Sequence, residues 1–148
     1  MKQKGPWSTD RIDGFLRDAR IPLRLACNGS SGFPILASLW FVPEDGRLWC
    51  ASQRGSSVVS LLSRDPHCAF EVSVEAPPYH GVRGTGVATL QDDRGEEILR
   101  VLMERYLGGT DSKLARFLLS RVDQEIAIAI EPQTLVSWDY QQRMGAAA

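Results

Sequence analysis

Cysteine is scarce in this chain, and its placement is informative. Cys27, Cys50 and Cys68 are an odd number and form no C-x-x-C pair. Each lies inside an apolar, strand-like run, where a thiol in a reducing compartment behaves as a small buried hydrophobe. Only His67 and His80 could join them as ligands, and residues so scattered match no metal-site spacing, so no metal is expected. An excess of charge of either sign is missing too. Lys and Arg number 17 against 18 Asp and Glu, for a net charge of −1, which is not the basic balance of a domain that tracks nucleic-acid phosphates. No apolar run approaches the roughly 20 residues that span a bilayer. The start, MKQKGPWSTD, leads into no apolar segment of a secretory signal. The expectation is a cytoplasmic protein without nucleic-acid or membrane partners.

Two common catalytic signatures are also absent. There is no Walker loop and no G-x-G-x-x-G in a βαβ setting, because Gly81, Gly84 and Gly86 fall within a strand pattern. Nothing around Gly55-Ser56 matches a nucleophile elbow, and neither histidine sits in a nucleophile motif. No catalytic acid, base or nucleophile can be assigned.

What is present is an ordinary globular composition, 43% hydrophobic and 24% charged over 148 residues, enough for one domain with a real core. The ends, residues 1–8 and 143–148, read as flexible. Ser8 or Thr9 can cap a helix with Ile12, Phe15, Leu16 and Ala19 on one face, ended by Pro22. Strand patterns follow at residues 23–28, 34–42, 47–51, 67–74, 81–90, 125–130 and 135–140. The run PILASLWFV has the look of a strand buried on both faces, and Pro43-Glu44-Asp45-Gly46 that of a hairpin turn. Glycines inside residues 81–90 suggest a bulge or a close approach. Helices are predicted at about residues 94–106, with Gly108-Gly109 as the stop, and 112–120, with Leu114, Phe117 and Leu118 on one side. Hairpins with few crossovers give an α+β fold, a mostly antiparallel sheet of about six strands closing toward a barrel.

The stretch LWCASQRGSSVVSLLSRDP, Leu48 to Pro66, carries the most chemistry. A short strand runs into a polar turn with Arg54, Gly55, Ser56 and Ser57, then into a short helix over residues 58–62. The first amides of a helix lack internal partners and the macrodipole favours an anion there. Ser hydroxyls and an arginine fork suit a phosphate. The same residues serve equally as a helix cap beside a solvated arginine. Near the end, Trp138-Asp139-Tyr140 could pack over a cavity mouth or a subunit interface, or simply anchor an edge strand.

Taken in order, PILASLWFVPEDGRLWCAS, RGSSVVSLLSRDPHCAFEV, PPYHGVRGTGVATL and VSWDY resemble the pyridoxamine 5′-phosphate oxidase-like, FMN-binding split β-barrel family, in its small bacterial branch of flavin- and deazaflavin-dependent members. The resemblance implies a six-stranded split barrel with short flanking helices, a homodimer with a flavin at each end of its interface, and an FMN-dependent oxidoreductase acting on a small organic substrate. By that resemblance Ile35, Leu36, Ala37 and Ser38 line the isoalloxazine ring, largely through backbone atoms. Ala51 and Ser52 border the ribityl chain, Arg54, Ser56 and Ser57 meet the phosphate, and Trp138 reaches the site. Val58 stands where many relatives carry a lysine, so the deazaflavin F420 and haem stay open as ligands. A protein that only sequesters its cofactor stays open as well.

Overall fold

The computed structural model describes residues 1–145. After β1 (Lys2–Lys4), helix α1 (Thr9–Asp18) starts at Ser8, whose Oγ accepts from the Arg11 amide, and it buries Ile12 and Leu16. Strands β2 (Leu23–Asn28), β3 (Pro34–Leu39), β4 (Val42–Glu44) and β5 (Arg47–Gln53) come next, then α2 (Ser57–Arg64), β6 (His67–Ser73) and β7 (His80–Gln91). The chain ends with α3 (Gly95–Leu107), α4 (Lys113–Leu119), β8 (Glu125–Asp139) and α5 (Gln141–Gly145). Gly108 closes α3 in the left-handed conformation at φ 74°, which costs a residue without Cβ nothing. Among the described residues, no helix is long and apolar enough to cross a membrane.

The sheet runs β3-β2-β6-β7-β8-β5-β4, with every neighbouring pair antiparallel, and β1 adds parallel to β8. The fold is α+β, and the sheet has eight strands where about six were expected, two of them three residues long. The two ends of the strand path, β3 and β4, are consecutive in the chain, joined only by Trp40 and Phe41. The apolar run at residues 34–42 is therefore not one buried strand. It breaks at the split of the barrel, with Phe41 driven fully inside and Ile35 and Leu36 left 41% and 75% exposed on the edge strand. Apolarity alone cannot separate a doubly buried strand from one awaiting a cover.

Other expectations are also revised. The β4–β5 turn is centred on Asp45 and Gly46, both at positive φ (54° and 74°), so Pro43 and Glu44 belong to the strand. Positive φ at both central residues suits the right-handed twist of a hairpin, and Asp-Gly supplies it. The patterns at 125–130 and 135–140 are one strand, carried past Pro132 by a register shift opposite Thr85/Gly86. A Cβ on Gly84 would lie 2.1 Å from Thr134 O, and one on Gly86 2.8 Å from Ile130 Cγ2, so the expected close approach is β8 itself. Leu114 and Phe117 are 46% and 57% exposed, and only Ala115 of α4 is buried. The N-terminal segment is held: Lys2–Lys4 pairs with β8 and Trp7 is buried. Arg143 and Met144 lie in α5, whereas residues 146–148 are outside the described residues.

The main core fills the barrel, with Leu25, Phe70, Val82 and Ile128 from the strands and Val58 and Leu62 from α2. The three cysteines belong to this core and are free thiols, as their apolar runs implied. Burial pushes the Cys68 thiol up to about 12, and that of Cys50 higher still. A second layer covers the outer face of β5 and β8, where Trp49, Ala127 and Ala129 meet Ile98 and Leu102 of α3. The Arg94 guanidinium lies 4.2 Å from the centroid of the Trp49 ring and pairs with Glu97 at 2.8 Å, tying the start of α3 to the sheet.

Candidate functional site

Two features adjoin the C-terminal half of β5. The first is the turn from β5 into α2. Ser56 N donates to Gln53 O at 2.9 Å and closes the turn. Ser56 Oγ then caps α2 by accepting from Val59 N at 3.3 Å, and also accepts from Ser52 Oγ at 2.9 Å. The amides of Ser57 and Val58 occupy the first turn of an eight-residue helix, where no intrahelical acceptor exists. The cap reading of Ser56 is thus realised, and it leaves these two donors at a polar rim formed by Ser52, Ser56 and the exposed Ser57.

Arg54 is not a free solvated side chain. Its guanidinium pairs with Asp92 at 3.1 Å and its amide donates to Gln124 O at 2.7 Å. Val58 turns its side chain away from this rim. Its side chain is 6% exposed and packs in the barrel core, so only its backbone reaches the turn.

The second feature is a pocket of about 270 Å³ between the end of β3, β5, the start of β8 and helices α3 and α4. Ser38 and Ala51 line it, as do Trp40, Leu114 and Leu118. Trp40 stacks on Tyr106, with centroids 5.2 Å apart and planes 8° apart. Tyr106 OH donates to Ile21 O at 2.9 Å and accepts from Phe41 N at 3.2 Å, which fixes the link across the split. The sequence did not single out Glu125, which also lines the pocket. It is 7% exposed and accepts from Gln53 Nε2 at one carboxylate oxygen. Burial pushes its carboxyl above the usual carboxylate range, against the opposing hydrogen bond from Gln53. Glu125 opens an alternating strand after a polar turn, a place that reads as solvent-facing, so no sequence signal marked it.

The remaining site candidates divide between the faces of the sheet. Ile35 and Ala37 pair with Cys27 and Leu25, on the core side. Leu36 and Ser38 point to the outer side, where Arg24 Nη1 donates to Ser38 Oγ at 2.6 Å. Leu36 lines a separate groove of about 610 Å³ on that outer face, with Ala26, Ala69, Arg83 and Val136. Trp138 lies beside this groove with the Arg83 guanidinium 5.4 Å from its ring centroid, away from the α2 turn. Asp139 has an anchoring role. It accepts from Trp7 Nε1 at 2.9 Å and Arg11 Nη2 at 3.0 Å, and so holds the N-terminal segment to β8.

No family model and no curated protein matches the sequence. Solved structures do match. A conserved hypothetical protein from Mycobacterium tuberculosis superposes with a TM-score of 0.80 at 22% identity, covering 93% of this chain and 88% of that one. This protein has the pyridoxamine 5′-phosphate oxidase-like split-barrel fold. An F420 reductase shares the split barrel with a TM-score of 0.71 at 17% identity, over 88% of this chain and 97% of that one. So does HutZ, the haem storage protein from Vibrio cholerae, with a TM-score of 0.66 at 18% identity, over 86% of this chain and 92% of that one. These neighbours of the split barrel handle different ligands, so the fold leaves the ligand to the residues of the site.

Proposed function

We propose that this split barrel binds FMN and serves as a flavin-dependent oxidoreductase for a small organic substrate. One observation supports it above the others: Ser38 of β3 and Ala51 of β5 line one pocket, and β5 runs directly from it into the Ser52–Ser56 turn and the unpaired amides of α2. A planar ring in the pocket and a phosphate at the turn would thus lie along a single strand. Ser57 and Val58 would hold the phosphate through their amides, with hydroxyls from Ser52, Ser56 and Ser57 beside them. The flavin would supply the redox chemistry, and this chain would contribute orientation and an apolar wall of Leu99, Leu102, Leu114 and Leu118. Haem fits the residues less well. No histidine, cysteine, methionine or tyrosine is among those lining the pocket, and these are the usual axial ligands of haem iron.

The same reading includes a homodimer. The outer sheet face carries the 610 Å³ groove, and Leu36 of β3, which lines it, is 75% exposed. Apolar side chains so exposed on an edge strand call for a cover, and a second copy would supply one.

The test is titration of the purified protein with FMN, followed by quenching of flavin fluorescence and by the absorbance of any chromophore that co-purifies. Saturable binding with a flavin spectrum supports the proposal. A deazaflavin spectrum would transfer the reading to F420, a Soret band would transfer it to haem, and no FMN binding would end it.

A further inference from the structure

The split pocket contains one buried polar side chain that the fold does not require. Glu125 stands at the head of β8, opposite Gln53 of β5, in a strand whose next five residues are Ile and Ala. Its backbone is rigidly placed. A Cβ on Gly95 would come within 2.0 Å of Glu125 O, so α3 begins in direct contact with it. Gln53 Nε2 donates to Oε2, and the same amide group reaches Arg121 O at 3.3 Å. Among the described residues no donor reaches Oε1, and that oxygen is not one of the sealed, unpartnered atoms of the interior. Glu125 itself lines the pocket, beside Leu99, Leu102, Leu114 and Leu118. A carboxyl oxygen placed beside leucines with no protein donor is left to water, and a ligand that displaces that water must bring a donor of its own.

We propose that Glu125 is the polar recognition group of the pocket, accepting through Oε1 a hydrogen bond from a ring N–H of a planar heteroaromatic ligand. The inference rests on the flavin reading and narrows it: FMN has one such group, the N3–H on the pyrimidine edge of its ring. Trp40 and the leucines supply the apolar contact that a flat ring needs, while Glu125 sets which edge enters. A ligand of the same shape with N3 alkylated would leave the carboxyl unpaired and also meet it sterically.

The experiment compares FMN with N3-methyl-FMN by fluorescence quenching, on the full chain and on Glu125→Ala and Glu125→Gln. The wild type is expected to prefer FMN by about 10- to 100-fold, the range for one hydrogen bond to a charged group. Glu125→Ala should bind FMN about 10-fold more weakly and lose the preference, since both ligands then meet the same apolar wall. Glu125→Gln keeps an acceptor oxygen and the pocket's shape, and should retain a reduced preference; its melting curve establishes that the fold is intact. Equal affinity of the wild type for both ligands, or an undiminished preference in both variants, overturns the role of Glu125 while leaving the flavin reading in place. A wild type that binds neither ligand overturns the flavin reading, and the inference with it.

Discussion

Ser52 Oγ donates to Ser56 Oγ at 2.9 Å, and Ser56 Oγ in turn caps α2 at Val59 N. The strand that borders the pocket and the helix that would receive a phosphate are thus joined through one hydroxyl. Ser56→Ala should cost about 1 kcal/mol of stability, the usual loss for a helix cap. It should also weaken FMN binding by removing a donor and loosening the turn. Urea unfolding and an FMN titration on the same variant measure the two effects; unchanged values in both would leave the Ser52–Ser56 contact without consequence.

Arg54 and Asp92 are an exposed pair, so breaking it should change stability by no more than about 1 kcal/mol. Their effects on ligand affinity should oppose each other. Asp92→Ala releases the guanidinium and is expected to tighten FMN, whereas Arg54→Ala is expected to weaken it by about 10-fold, the loss of one charge-assisted bond. If both variants bind FMN as the wild type does, Arg54 serves only to pair with Asp92.

Val58→Lys tests the inward orientation of position 58. Because the valine side chain is buried in the barrel core, a lysine there should destabilise by about 2 kcal/mol or more without tightening FMN. Chemical denaturation measures the first effect. A stable variant with higher affinity would mean that position 58 faces the turn.

Asp65 provides a pH dependence. Hydrogen bonds from His67 and from Asn28 hold its carboxyl down at about 2. A carboxylate whose pKa is lower folded than unfolded contributes stability above its unfolded pKa of about 3.9 and loses it on protonation. The protein should therefore lose stability as pH falls from about 4 to about 2, and Asp65→Asn should flatten that part of the profile. Melting temperatures across the range measure it, and parallel profiles for the two proteins would remove Asp65 from the account.

Leu36 is the natural probe of the proposed dimer. Leu36→Asp changes a side chain 75% exposed in the single chain and should leave the fold's stability within about 0.5 kcal/mol. It should nonetheless convert a dimer to a monomer in light scattering. A wild-type monomer, or a variant still dimeric, would place the cover of this face elsewhere.

Local structure was legible in the sequence. The Ser8 and Ser56 caps, the limits of β2, the Gly108 stop and the burial of all three cysteines follow from propensity, capping chemistry and apolar periodicity, each acting over a few residues. Their order along the chain was sufficient to indicate an α+β fold with a mostly antiparallel sheet closing toward a barrel, and the family resemblance added that the barrel is split. Tertiary structure decided what depends on partners distant in sequence. The run at 34–42 divides because its middle must cross the split. Val58 points inward because α2 packs its first turn into the barrel, and Arg54 finds Asp92 thirty-eight residues later. Glu125 is buried only because α3 lies across the start of β8. Periodicity encodes which face of an element is apolar; which other element meets that face, and so which polar groups lie in the pocket, is set by packing alone.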